Sequence, residues 1–389
     1  MIYVGIDVAS EKHDFFMMTS EGEVFTKRSI SIPNNQIGYE KLHKCIQQFC
    51  RVSQDSNVRI GLESTGFYHF NILFYLLKKK YAVTVINPLL TNMYKKSRKV
   101  HSPKNDNLDS QSICMYLCDN RNDFKPYTLK SYHTEALKSL SRDRFSVIEE
   151  LRLAKTDVYR ILSQLFPEYL NLFSNIYQGS ALNILKKYPG PKMLSKAHES
   201  TIAKMIHGRC KVKAIDVINA ARYSIGNDNE YLSFSLTQVI KTLEFIQSKV
   251  DEYDAMIKKY VDSLDTTILS IPGIGYTTAG LILGEIGDIS RFKRAEQLVS
   301  FAGLDIEVYE SGKYKATNHR ISKKGSKYLR YALYQVAKVC WVHDPTLNAY
   351  YLKKKAENKH FFVILAHLEK KMTRIIYSIL KSGNTYIPQ

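Results

Sequence analysis

The 389-residue chain is 44% hydrophobic and carries 56 Lys and Arg against 37 Asp and Glu, a formal net charge of +19. That composition buries a full core and excludes a disordered tail, and the length suits two or three domains. No apolar run is long enough to cross a bilayer, and "MIYVGIDVAS" carries an acid where a signal peptide would stay apolar, so a cytoplasmic protein without a membrane partner is expected.

In chain order, residues 1–125 alternate short β-rich runs with amphipathic segments. These are "IYVGIDV", "HDFFMMTS", "VFTKRSISI", a helix near Gly38 to Cys50, "VRIGLES", a helix near Tyr68 to Lys80, and "AVTVINP". Three strands followed by alternating helices and strands predict an α/β domain with a mixed sheet of the ribonuclease H type. Six cysteines without CxxC spacing suggest neither a zinc site nor a disulfide framework. Cys114 and Cys118, four apart on a predicted helix, read as buried small hydrophobes.

Residues 126–266 are predicted helical. Leu236, Val239, Leu243, Ile246, Val250, Tyr253, Ile257, Tyr260 and Leu264 keep strict three-four spacing. Leu137, Leu140, Val147, Leu151, Ala154, Val158, Ile161 and Leu165 keep it with one interruption, at Arg144. Such a repeat favours a coiled-coil seam, and pairing within one chain and pairing across a dimer satisfy it equally. Residues 176–228, with "YPGPK", read as an inserted helical segment.

Residues 267–389 form the electropositive end, with 19 Lys and Arg against 9 acids from Ile271 onward, compared with 37 against 28 before it. A nucleic acid is the natural partner, because each neutralised phosphate releases counterions. In "SIPGIGYTTAG", Gly273 and Gly275 predict a tight turn like that of a helix-hairpin-helix, whose amides can hold a phosphate. The run "YESGKYKATNHRISKKGSKYLR" then places Lys313, Arg320, Lys323, Lys324, Lys327 and Arg330 as candidate nucleic-acid contacts.

The acids of the first domain carry the chemistry. Asp7 closes the first strand, Glu63 closes the fourth, and Asp106 and Asp109 lie three apart on one face of a predicted helix. In a ribonuclease H type sheet those positions converge, and two divalent cations would relieve their repulsion and cleave a phosphodiester. Oxygen ligands select Mg²⁺ or Mn²⁺. Taken alone, Asp106 and Asp109 suit a helix N-terminus, Asp7 and Glu63 a solvated strand end, and Ser311 a turn. Glu11, Asp14 and Asp119 fit the pattern less well.

"YVGIDVASEKHDF", "GLESTGFY", "VTVINP", "KNDNLDSQSI", "SIPGIGYTTAGLILGEIGDISRFKRAEQLVSFAGL", "YESG" and "RISKKGSKYLRYALY" occur in an order that resembles insertion-sequence transposases with a RuvC-like DEDD domain and a C-terminal serine domain. These are recombinases guided by a bridge RNA and related to Piv-type DNA invertases. The resemblance implies that the four acids are Asp7, Glu63, Asp106 and Asp109, that Ser311 is a nucleophile forming a covalent phosphoserine, and that the two domains complete one site between protomers. It also implies donor and target DNA, a guide RNA and a homo-oligomer, dimer or tetramer, as partners. "KNDNLD" departs from the family's usual pattern in having Asn105 where Thr is common. Ser322 is a rival nucleophile by sequence, ranked below Ser311 and read as a phosphate contact or cap. Two other functions remain compatible with the residues: a metal-dependent nuclease using water as nucleophile, and a non-catalytic nucleic-acid-binding protein.

Overall fold

Alternation along the first apolar run sets the N-terminal architecture. In β1 (Ile2–Val8), Ile2, Val4, Ile6 and Val8 turn to one face and share a core with Leu42, Ile46, Leu73 and Leu76, whereas Tyr3 turns to the other and packs with Phe16, Cys114 and Leu117. β2 (Lys12–Thr19) returns antiparallel, and β3 (Ile30–Pro33) pairs antiparallel with it. After α1 (Gln36–Val52), β4 (Val58–Glu63) joins the other side of β1 in parallel, and α2 (His69–Lys78) leads to β5 (Ala82–Ile86), parallel to β4. The mixed sheet therefore runs β3-β2-β1-β4-β5, the arrangement expected of the ribonuclease H type. The third strand is shorter than its β-rich sequence suggests, since Val24 makes only an isolated bridge to Met18.

This computed structural model describes residues 1–64, 67–98, 106–208, 210–306, 310–311, 314–315 and 321–388. The chain divides into two compact units, Met1–Thr134 and Glu135–Gln389. Two more helices complete the first: α3 (Pro88–Arg98) and α4 (Asp106–Asp119). Asn87 accepts the Leu89 amide at 2.9 Å and Pro88 occupies the first turn, a cap that fixes where α3 starts. α4 lies directly on β1 because Gly5 has no side chain. A Cβ there would stand 2.3 Å from the Cys114 amide and the Ser110 carbonyl. The Cys114 thiol donates to the Tyr3 carbonyl at 3.2 Å, and burial pushes it up to about 12, as befits a core residue.

The second unit is built on two long helices, α5 (Leu129–Leu165), which enters it at Glu135, and α10 (Glu230–Asp262). Val147, Leu151, Val158 and Leu165 share one core with Leu236, Leu243, Ile246 and Val250, so the two apolar seams meet within one chain. They run antiparallel: Arg144 in the middle of α5 pairs with Asp254 near the C-terminal end of α10, and Asn227, just before α10, donates its amide to the Gln164 carbonyl at the C-terminal end of α5, at 2.8 Å. Arg144, the break in the repeat, is thus an interhelical ion pair. Ile240, Val261 and Leu162 are buried beside the seam residues, which widens each stripe beyond a strict three-four row. Between the long helices, α6 (Gly179–Lys187), α7 (Pro191–Leu194), α8 (Glu199–Met205) and α9 (Ala214–Arg222) contribute Leu182, Leu194, Ile202 and Val217 to the same core.

A separate core holds the C-terminal part. It unites the ends of the long helices with α11 (Tyr276–Ile286), α12 (Ala295–Phe301), α13 (Lys327–His343), α14 (Pro345–Ala356) and α15 (Phe361–Ser382); a hairpin of β6 (Glu310–Ser311) and β7 (Tyr314–Lys315) falls between α12 and α13 in the chain. Gly273 takes φ +86° in the turn before α11, and Gly275 caps that helix. The element preceding the turn is the single 3₁₀ turn Thr267–Ser270, not a full helix. Among the described residues no helix is long and apolar enough to cross a membrane.

Candidate functional site

Strand parity places three acids in a row. Tyr3, Gly5 and Asp7 point to the α4 face of β1; Asp14 is the register partner of Asp7 on β2, and Glu63 stands one step beyond the Ile6–Leu62 pair on β4. Gly61 confirms the parity of β4, because a Cβ there would meet Ile113 and Leu117 of α4. α4, brought down on Gly5, delivers Asp109 to the same end of the sheet, with the adjacent Ser110 buried and its hydroxyl 2.7 Å from that of Ser29. Asp106 opens α4 one turn earlier, and its side chain lies outside the described residues.

These carboxylates feel one another. Burial, then Asp109 and Glu63, push the Asp7 carboxyl up to about 6, with Asp14 adding to the rise and Lys95 opposing it. Glu63, 9% exposed, is raised by burial and by Asp109 against Lys95 and a hydrogen bond from Thr91. Both opposing groups come from α3: the Thr91 hydroxyl donates to Glu63 at 3.2 Å, and the Lys95 ammonium stands 2.9 Å from Asp109.

Among the described residues no three His, Cys, Asp or Glu side chains stand close enough together to hold a metal ion, and the Asp106 side chain lies outside them. The donor set nevertheless fits a hard divalent cation. It is all oxygen and partly buried, and burial together with the neighbouring carboxylates raises the Asp7 carboxyl, a cost that a cation would offset. Asp14, ranked low in the sequence, sits closer to this chemistry than Asp119, which accepts from Tyr94 at 2.5 Å, or Glu11, exposed in the β1–β2 turn. Thr91 and Lys95 were not legible as site residues; a polar i, i+4 pair just after "INP" is their only sequence signal.

In the second unit, Ser311 ends β6 opposite Tyr314, with Gly312 and Lys313 between the two strands in sequence. The loop that carries this hairpin is pinned at its base. Ile306 bridges Ile321, the Ser322 amide donates to Asp305 at 2.9 Å, the Lys323 amide to Gly303 at 3.0 Å and the Ser326 amide to Phe301 at 2.8 Å. Gly325 permits that closure, because a Cβ would fall 2.0 Å from the Phe301 carbonyl oxygen. The side chains of Ser311, Lys313 and Arg320 lie outside the described residues.

Lys323, Lys324 and Lys327 are exposed around this base, whereas Arg330 is half-buried and donates to the Ala302 carbonyl at 3.0 Å. The Ser322 hydroxyl donates to the Asp305 carboxylate and accepts from the Lys324 amide at 3.4 Å, a capping role. Ser326 caps α13 and also donates to Glu285, at 2.7 Å. Glu285, 3% exposed, is further held by Arg142 through two bonds of 2.6 and 3.0 Å.

Comparison with known proteins finds two separate matched regions, the first running beyond Thr134 to the end of α5. Residues 4–167 match the family model DEDD_Tnp_IS110, described as "Transposase", and residues 265–352 match one described as "Transposase IS116/IS110/IS902 family". The chain is 23% identical over 211 residues to the insertion element IS110 uncharacterized 43.6 kDa protein of Streptomyces coelicolor, covering 52% of each, so it spans about half the length of that relative. It is 23% identical over 386 residues to the pilin gene-inverting protein of Moraxella lacunata, covering 99% of this chain and 97% of that one. Against the transposase for insertion sequence element IS1111A of Coxiella burnetii the identity is 31% over 153 residues, covering 39% and 41%. RuvC of Thermus thermophilus aligns with 33% of this chain and all of its own at 11% identity and a TM-score of 0.25. Both matched regions, in their order along one polypeptide, are thus similar to transposases of the IS110 and IS116 families.

Proposed function

We propose that this protein is the transposase of an insertion sequence, cutting and rejoining donor and target DNA under the direction of a guide RNA. The observation that carries the reading is the row of acids on one sheet face, Asp14, Asp7 and Glu63 with Asp109 above it, in the region that matches the DEDD transposase model. Relatives named a transposase and a gene-inverting protein both fit an activity on DNA. Asp7, Glu63, Asp106 and Asp109 are the residues that would hold Mg²⁺ or Mn²⁺, which supplies charge neutralisation at the reacting phosphate.

Ser311 is the proposed nucleophile. Its Oγ forms a bond to phosphorus as the bond to the DNA 3′ oxygen breaks; the hydroxyl proton leaves and the departing oxygen gains one. The reverse attack by an exchanged 3′-hydroxyl rejoins the strands without an outside energy source. Lys313, Arg320, Lys323, Lys324 and Lys327 offset backbone charge near this hairpin, and the turn at Gly273 and Gly275 offers amides to a phosphate. Arg330 shares its guanidinium with the Ala302 carbonyl, so its part in binding is the smallest of the set. The division of work follows residues 1–125, 126–266 and 267–389, with a dimer or tetramer as the acting form.

The test is a denaturing gel of the protein with labelled element-end DNA. The wild type should give a covalent adduct that Ser311→Ala lacks, while DNA and RNA binding stay within about twofold. Persistent adduct in Ser311→Ala would sink the serine mechanism. Hydrolysed ends with no adduct from either protein would instead favour a nuclease that uses water. Sequencing the nucleic acid that copurifies tests the guide: a short structured RNA encoded beside the gene is expected.

A further inference from the structure

Helix α3 holds two of the acids from one face. Thr91 and Lys95 are one turn apart, at i and i+4, so their side chains project side by side. The Thr91 hydroxyl is fully buried and reaches Glu63 at 3.2 Å; its other contact is the Pro88 carbonyl at 3.0 Å, within its own helix. The Lys95 ammonium stands 2.9 Å from Asp109, with its side chain 24% exposed. Its charge acts beyond that pair, opposing the repulsion at both Asp7 and Glu63. On the far side of the row, Lys12 lies 3.7 Å from Asp14 and is more than half exposed, a longer and better hydrated pair.

One ammonium thus stands where the acids would hold a divalent cation. A single positive charge does not balance Asp7, Glu63 and Asp109 together, and it takes up an oxygen of Asp109 that a metal would use. We propose that Lys95 is a tethered counter-cation of the acidic cluster, paired with Asp109 before metal binds and displaced from it on binding, so that it sets the metal concentration at which the site loads. The inference rests on the metal reading above and adds a loading threshold to it. Thr91 has the complementary task of fixing Glu63 in place, and it carries no charge to compete with.

The readout is the Mn²⁺ or Mg²⁺ concentration that gives a half-maximal rise in melting temperature, measured on the full chain without DNA. Lys95→Met keeps the aliphatic stem and removes the charge. It should lower that concentration by about fivefold, the size expected when one partly exposed ion pair no longer competes. Lys95→Gln should behave the same way if Lys95→Met folds poorly, and Lys95→Arg should stay within about twofold of the wild type. A wild type that responds to metal alongside a Lys95→Met or Lys95→Gln variant with an equal or higher midpoint overturns the inference alone. A wild type with no metal response overturns the metal reading and this inference with it.

Discussion

Two carboxylate environments in this chain are built on opposite plans. Glu285, in the second unit, is almost fully buried and receives two bonds from Arg142 and one from Ser326, so its charge is matched where it sits. The acids at the end of the first sheet are gathered on one face, repel one another, and share Lys95. A carboxylate that serves the fold is supplied with partners, because an unpaired buried charge costs several kcal/mol. A cluster that serves chemistry keeps an unmet demand for positive charge, and that deficit is what a divalent cation and a phosphate would use.

The largest effect that could break this contrast is at Asp7. Asp7→Asn should lower strand cutting at least about a hundredfold, measured on labelled element-end DNA. Its fold should respond in the opposite sense. With the Asp7 carboxyl raised to about 6, the stability contributed by its protonated form is present below about pH 4 and is lost as pH rises through 6. In chelator, Asp7→Asn should therefore melt higher than the wild type at pH 8 and at the same temperature at pH 4. Equal melting at pH 8 would mean that the acids do not burden one another.

Arg142→Met probes the other plan. It leaves Glu285 buried with Ser326 as its remaining side-chain partner and should cost about 2–3 kcal/mol in urea unfolding, less than a fully buried pair because the Arg142 side chain is 40% exposed. Replacing Arg142 and Glu285 together by Met should recover most of that loss. If the double variant is as unstable as the single one, packing of the Arg142 stem matters more than its charge.

The smallest effect sharpens the contrast through a third acid. Glu369 is buried on α15, and burial pushes it up to about 7 against Arg330 and Lys370. Its protonated form stabilises the fold at low pH, and that contribution is lost as pH rises through 7. Glu369→Gln should be more stable than the wild type by about 1 kcal/mol at pH 8 and equal to it near pH 4. A constant difference at both values would assign the effect to packing.

Much of this was legible in the chain itself. The alternation of "IYVGIDV" sets which residues of β1 face α4, and that parity puts Gly5 and Asp7 on the same side before any contact is known. Glu63 follows from its place at the end of a parallel neighbour. The three-four spacing of the long helices marks their seams in the same way, since a helix repeats its faces by local geometry alone.

The rest depended on how distant elements meet. Both pairings of the long seams satisfied the sequence; the Arg144–Asp254 pair and the shared core join them within one chain. Nothing in the local sequence distinguishes Asp14 from other acids; the hairpin register sets it against Asp7. Thr91 and Lys95 look like any polar residues of a surface helix, because the orientation of α3 over Glu63 and Asp109 is fixed by packing and leaves no periodic trace in the sequence. The sequence by itself determined which residues could carry the charge, since strand and helix periods act over a few residues. Only the tertiary structure decided which of those charges are matched and which are left waiting, because electrostatic balance is a property of distances between residues far apart in the chain.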